Sequence, residues 1–364
     1  MPMPLKVQKR TRPLGWSRAA VLASALLIAL ALSSLFLVLQ GKPALQGMVL
    51  LFQEAFGSVW ALEDTLIKSV PIFFCSLGVA VAFRLGVWNI GAEGQYALGA
   101  IGATWAALSF PGLPWFLLLP AMLCAAVLAG AFWAFIPAFF KVRMQANEII
   151  VSLMLNYIGI LFLEFLVYGI WKDKASFGFP MTEEFCPAAI IGKIGESRIH
   201  WGFILAVAMA LLLSIFFNST RVGYELKVSG KNVRAARYAY IPYNWLVVLV
   251  MLISGALAAM AGFVETSATL NRLQPTVMAG YGYTAIVVAW LARLSPWGIA
   301  LASFLLAGLR VGVEGLQLEF QVPAAFGSIM EGLILLCVLS AQFFKHYRLS
   351  KRSHIFSALR EDNP

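Results

Sequence analysis

The 364-residue chain is 61% hydrophobic and 12% charged, with a mean hydropathy of +0.83. Soluble domains carry about 25% charged residues, so this composition excludes a soluble globular protein and gives an all-α polytopic membrane protein. The net charge of +10 is gathered in short segments between apolar runs. That is how cytoplasmic loops beside an anionic bilayer read, and it does not indicate a nucleic-acid partner.

In chain order, residues 1–18 form a basic segment with Lys6, Lys9, Arg10, Arg12 and Arg18. The apolar run 19–39 is long enough to cross a bilayer and too long for a secretory signal core, so it reads as a retained first helix. Further spans are expected at 65–83, 93–110, 115–140, 148–170, 201–217, 244–263, 276–292, 297–309 and 325–344. The 115–140 segment contains Pro120 and Pro137 and is expected to tilt or kink, while 297–309 is short and reads as a half-helix. Residues 345–364 form a basic tail, and 19–344 a single transmembrane domain. The loops at 40–64 and 171–200 fall outside, and the basic loops and both termini fall in the cytoplasm, which satisfies the positive-inside rule with ten crossings.

The stretch Phe83–Tyr96 carries Arg84, Asn89, Glu93 and Gln95 among three glycines, between two apolar runs. Polar groups and broken backbone at membrane depth need surrounding protein or a water-filled cavity. Asn89, Glu93 and Gln95 are therefore pathway candidates. Glu93 also suits the first turn of the following helix, and Arg84 reads as an interfacial anchor or a partner for Glu93. Asn147 and Glu148 look like a helix start, with Asn156 and Glu164 further along the same span as pathway residues. A second polar, glycine-rich bend, Gln274–Thr284, feeds an aromatic segment and hints at two related halves. Tyr281, Tyr283 and Trp290 offer ring faces to a sugar or nucleobase, and Glu331 is a further candidate in the last span.

Chemistry of other kinds finds no support. Gly192-Lys193 and Gly230-Lys231 lack the rest of a P-loop, and no nucleophile elbow, HExxH, paired CxxC or GxGxxG motif is present. His200, His346 and His354 are scattered, and the four cysteines have no metal-type spacing. No cofactor or metal is expected on this chain, and it is not expected to be an enzyme.

The loop 221–243 contains Gly223, Glu225, Gly230, Asn232, Arg234, Ala235, Ala236, Arg237 and Tyr238. Asn232 is a plausible N-cap for a short helix over Val233–Tyr240 that ends before Pro242, with Val233, Ala236 and Ala239/Tyr240 on one side. Two readings stand on the residues alone: an amphipathic helix on lipid headgroups, or a helix that docks into a cytoplasmic ATPase.

The segments Phe83–Tyr96, VRMQANEIIVSLMLNY (142–157), Gly223–Ile241 and RLQPTVMAGYG (272–282) resemble, in order and spacing, permeases of ABC importers of the ribose/branched-chain amino acid class. The likeness is greatest to the simple-sugar and nucleoside subgroup and runs from about residue 40 to 343. It implies a multi-pass subunit of a bacterial-type inner or plasma membrane, importing a nucleoside or simple sugar. It further implies a cytoplasmic ABC ATPase carrying ATP and Mg, a second permease that is a relative of this one, and an extracytoplasmic binding protein. It makes 223–241 the element coupled to the ATPase. Family members commonly read R-Y-A-G-I here, whereas this chain has Tyr240 in place of the glycine, a less permissive turn. The alternative is an ion-coupled secondary transporter using Glu93, Glu164, Glu265 and Glu331 as proton or sodium sites.

Overall fold

The computed structural model describes residues 5–9, 18–323 and 325–351; the side chains of several of these, Glu331 among them, lie outside the described set. The described chain is almost wholly helical. Among the described residues, six helices are long and apolar enough on their own to cross a membrane. Residues Leu50–Gly315 form one compact unit, and the described residues on either side of that range form another.

The outer pair of segments contains helix α1 (Arg18–Leu39) packed against α13 (Ala325–His346), with Phe36 stacked on Phe326 at 5.8 Å. Strand β1 (Leu5–Lys9) pairs antiparallel with β2 (Tyr347–Lys351). The two basic termini are thus joined as a short ribbon. This corrects a purely helical expectation, because alternating residues such as Leu5, Val7, Leu349 and their basic neighbours suit period two as well as a solvated tail.

Within Leu50–Gly315, α3 (Val59–Arg84) and α10 (Tyr243–Val264) are mostly buried, while in α5 (Trp115–Met144), α6 (Glu148–Tyr168) and α7 (Trp201–Ser219) most residues are at least partly exposed. That difference separates a buried centre from an exposed apolar periphery. The centre closes on small residues. A side-chain carbon on Gly130 of α5 would stand 2.6 Å from the Gly255 carbonyl of α10, and one on Gly255 would stand 2.4 Å from the Gly130 carbonyl. Association inside a bilayer relies on such backbone approach, because apolar burial gains little against lipid.

Four sequence expectations change. The 40–64 loop, expected to lie outside, holds α2 (Ala44–Phe56), and α3 begins six residues earlier than expected because the Ser58 hydroxyl accepts from Ala61 N at 3.0 Å and caps it. The roles of 276–292 and 297–309 are exchanged. The first contains only α11 (Tyr281–Leu291), 11 residues and roughly 16 Å of helix. The second opens a continuous 25-residue helix, α12 (Pro296–Phe320). Arg310 and Glu314, which lie beyond the expected end of that span, both have protein partners. Helix α5 runs four residues past its expected end to a left-handed cap at Gln145, with Pro120 and Pro137 inside it. Finally, the 221–243 loop contains two helices, α8 (Arg221–Lys231) and α9 (Val233–Tyr238), where one was expected.

Candidate functional site

Helix α3 ends at Arg84, the chain turns at Gly86 (φ +80°), and an extended elbow leads to α4 (Ala92–Ser109). An elbow of this kind leaves backbone donors and acceptors without helical partners. One face of α6 supplies them. Glu148 Oε1 accepts from Trp88 N at 3.5 Å, and Ser152 Oγ accepts from Ile90 N at 3.3 Å. Asn156 donates to Ile90 O at 2.7 Å and accepts from Gly94 N at 2.8 Å. Residues 148, 152 and 156 are successive turns of one helix, so their spacing is a ladder along which the elbow climbs. Lys141 holds the lowest rung by an ion pair to Glu148 at 2.6 Å.

Inside the elbow, Asn89 Nδ2 donates to Gln95 Oε1 at 2.9 Å and to Ser254 Oγ of α10 at 2.8 Å. Its Oδ1 accepts from Gln95 Nε2 at 3.1 Å and from Gly91 N at 3.0 Å. Asn89, Gln95 and Asn156 are wholly buried with their hydrogen-bonding capacity used inside the protein. In this structure they act as struts of the elbow and face protein. Ser254 lies about 16 Å of helix from the start of α10, which sets the depth the elbow reaches.

Glu93 occupies the first turn of α4, as expected, but it also caps another helix. Its two oxygens accept from Gly280 N at 3.0 Å and Gly282 N at 2.6 Å, at the N-terminus of α11. Two helix N-termini therefore converge on one buried carboxylate, the arrangement their dipoles favour. Gly280 opens α11 at φ +78°. Tyr281 is buried, its ring edge-on to Tyr96 at 5.9 Å, while the Tyr96 hydroxyl donates to Val277 O at 3.1 Å. Arg310 of α12 lies 4.9 Å from the Tyr281 ring and donates to Ala279 O at 2.9 Å and Thr284 Oγ1 at 2.7 Å. The 277–284 segment is thus fixed at several points, and a π-helix at Glu265–Leu270 precedes the bend.

Tyr283 and Trp290 lie two turns apart on α11 and each keeps 37% of its surface open. Trp88 of the elbow, 40% open, packs on Trp290 at 5.5 Å, with Phe83 behind both at 5.0 and 5.8 Å. These three half-open rings form an aromatic face; Tyr281 is excluded from it by burial. Sequence reasoning missed Trp88, whose only signal was an aromatic inside the polar motif. It also missed the Lys68–Glu314 ion pair and Arg310, whose signal was a charge pair one turn apart on α12. Glu164 is half-buried on α6, and among the described residues it has neither an ion pair nor a hydrogen bond. The expectation for Glu331 falls on a side chain outside the described set.

Arg84 does not reach Glu93. Its guanidinium donates to Leu294 O through Nε at 3.3 Å and Nη2 at 2.8 Å, and it lies 3.6 Å from the Phe217 ring of α7. Against this end of α3 packs α8. Thr220 caps α8 through Gly223 N at 3.0 Å, Arg221 pairs with Glu225 at 2.9 Å, and Gly223, Leu226 and Ser229 face inward. A side-chain carbon on Gly230 would fall 1.9 Å from Arg84 O, so only glycine allows this approach. Asn232 caps α9 as expected, accepting from Arg234 N at 3.0 Å and Ala235 N at 3.2 Å. Ala236 is the buried residue of that helix, while Arg234, Ala235, Arg237, Tyr238 and Tyr240 are exposed. Tyr240 therefore leaves the inward side assigned to it. It stands at φ +55°, the left-handed conformation that glycine adopts without strain.

These features define a class: a multi-pass helical membrane protein whose buried polar residues brace two non-helical bends at its centre. Residues 61–339 match the family described as "Branched-chain amino acid transport system / permease component". The chain is 34% identical to a glucose ABC transporter permease protein of Haloferax volcanii, over 94% of this chain and 92% of that one. It is 31% identical to a guanosine ABC transporter permease protein of Bacillus subtilis, over 87% and 92%, and 30% identical to a nucleoside ABC transporter permease protein of Lactococcus lactis subsp. cremoris, over 78% and 81%. The chain belongs to this family of ABC importer permeases.

Proposed function

We propose that this permease imports a ring-shaped polar solute, a nucleoside or a simple sugar, past the aromatic face formed by Tyr283, Trp290 and Trp88. That face is the observation that carries the reading. Half-open aromatic rings on a short helix, tied into the centre of the fold at both ends, give a ring-shaped solute flat surfaces to stack on without requiring one hydrogen-bond pattern. Relatives named for glucose, guanosine and nucleosides support the same solute classes.

In this reading the chain makes ten crossings with both termini in the cytoplasm and sits in a bacterial-type plasma membrane. It pairs with a related permease, an extracytoplasmic binding protein delivers the solute, and a cytoplasmic ATPase binds ATP and Mg. The exposed residues of α8 and α9, with Arg234, Ala235, Arg237 and Tyr238 foremost, dock on that ATPase. Membership of the permease family argues against the ion-coupled alternative. The test is uptake of radiolabelled guanosine and, separately, glucose into proteoliposomes holding the permease pair and its ATPase, with the binding protein added. ATP-dependent uptake that falls on Trp290→Ala supports the reading. Uptake by the permease without the ATPase, driven by a proton or sodium gradient, refutes it.

A further inference from the structure

We propose that Arg84 is a latch that passes movement of α8 to α11, a positioning residue for transport; this rests on the importer reading above. Four observations meet at this one residue. The α8 backbone at Gly230 abuts the Arg84 carbonyl with no room for a methyl group, so α8 cannot shift toward α3 without pushing this residue. The guanidinium is held flat on Phe217 of α7, the helix that leads into α8. Its Nε and Nη2 both donate to Leu294 O. That carbonyl belongs to a turn in which Arg293 and Leu294 stand at φ +54° and +61°, two consecutive non-glycine residues in the left-handed region.

Such residues persist only when their surroundings hold them. Leu294 offers no β-turn glycine and no side-chain amide, so the charged donors of Arg84 are the visible restraint on its carbonyl. The turn closes the C-terminal end of α11, where Ala292 N bonds Val288 O at 2.9 Å and Leu294 N bonds Ala289 O at 2.9 Å. The opposite end of α11 is pinned to Glu93. Releasing Leu294 therefore frees one end of the helix that carries Tyr283 and Trp290, while its other end stays fixed. Displacement of α8 is converted into rotation of the aromatic face, with the strained turn as the element that relaxes.

The test uses the complete importer in proteoliposomes and reads ATP hydrolysed per guanosine or glucose imported, beside the thermal midpoint of the purified complex. Wild type is measured first; a complex without ATP-driven uptake overturns the functional reading itself. Given a coupled wild type, Arg84→Ala loses charged hydrogen bonds and should raise the ATP-to-solute ratio about tenfold, with binding-protein-stimulated hydrolysis retained. Arg84→Lys keeps the charge but loses the planar fork and should fall between the two. Leu294→Gly relaxes the turn, so it should raise the thermal midpoint while also raising the ATP-to-solute ratio. A purely structural role moves stability and transport together. An unchanged ratio in Arg84→Ala, or Leu294→Gly that is more stable and fully coupled, overturns the proposal.

Discussion

Replacing Glu93 with glutamine isolates what holds the two bends together. The carboxylate accepts from Gly280 N and Gly282 N, one on each oxygen. A carboxamide keeps one acceptor and turns its NH2 toward the other N–H. Weakening one charged bond to a neutral one costs about 1 kcal/mol, and leaving the second buried N–H unpaired costs about 1–3 kcal/mol. Loss of the charge at two helix N-termini adds about 1 kcal/mol. Against this, the amide avoids burying a charge at a site that is 1% exposed, a penalty that can reach several kcal/mol when the charge is poorly compensated. Here both oxygens are bonded and two dipoles point at them, so desolvation should offset only part of that loss and leave about 2 kcal/mol. That corresponds to a fall of roughly 4–8 °C in the thermal midpoint, scaled from the shift per kcal/mol of large domains. Tryptophan fluorescence of the detergent-solubilised protein reads it, because Trp88 and Trp290 flank the segments concerned. A Glu93→Gln midpoint within 2 °C of wild type would show that the carboxylate's desolvation cancels its capping, and the central argument would fail.

Three further outcomes are expected. Gly230→Ala places a methyl group against Arg84 O; α8 must move away, and ATP-driven uptake should fall several-fold with little change in the thermal midpoint, whereas unchanged uptake would mean that α8 is not in close contact in the working complex. Tyr240→Gly relieves a left-handed residue whose side chain is 95% exposed; the strain removed, about 1–2 kcal/mol, outweighs glycine's extra unfolded freedom of about 0.5–1 kcal/mol, so the variant should be slightly more stable, and a lower midpoint would refute the strain argument. His200, at the start of α7, has its pKa lowered to about 4 by burial. The unfolded chain binds the proton near its ordinary value of 6.5, so the native state is favoured above that pH and loses this contribution as pH falls toward 4. From pH 7 to 5 the loss should be about 2 kcal/mol, read as a falling midpoint that His200→Gln lacks; an equal fall in both proteins would remove His200 as the cause.

Much of the elbow was legible in the motif around Asn89–Gln95, because glycines and amides between apolar runs must break the helix and find partners. What those amides do was not legible. Asn89 and Gln95 pair with each other and Ser254, and Asn156 bonds elbow backbone. A polar residue that lines a passage and one that braces a bend have the same hydropathy, and only the positions of α6 and α10 distinguish them.

Local chemistry alone determined the class, the apolar segments, the Asn232 cap and the alternation of polar bends with spans, since each depends on neighbours within a few residues along the chain. The tertiary structure decided which segment is the short helix and which the long one, that Glu93 caps α11 while Arg84 holds Leu294, and which rings stay open. Those outcomes depend on partners one to two hundred residues away, and a linear pattern contains no information about which buried donor a given acceptor will meet.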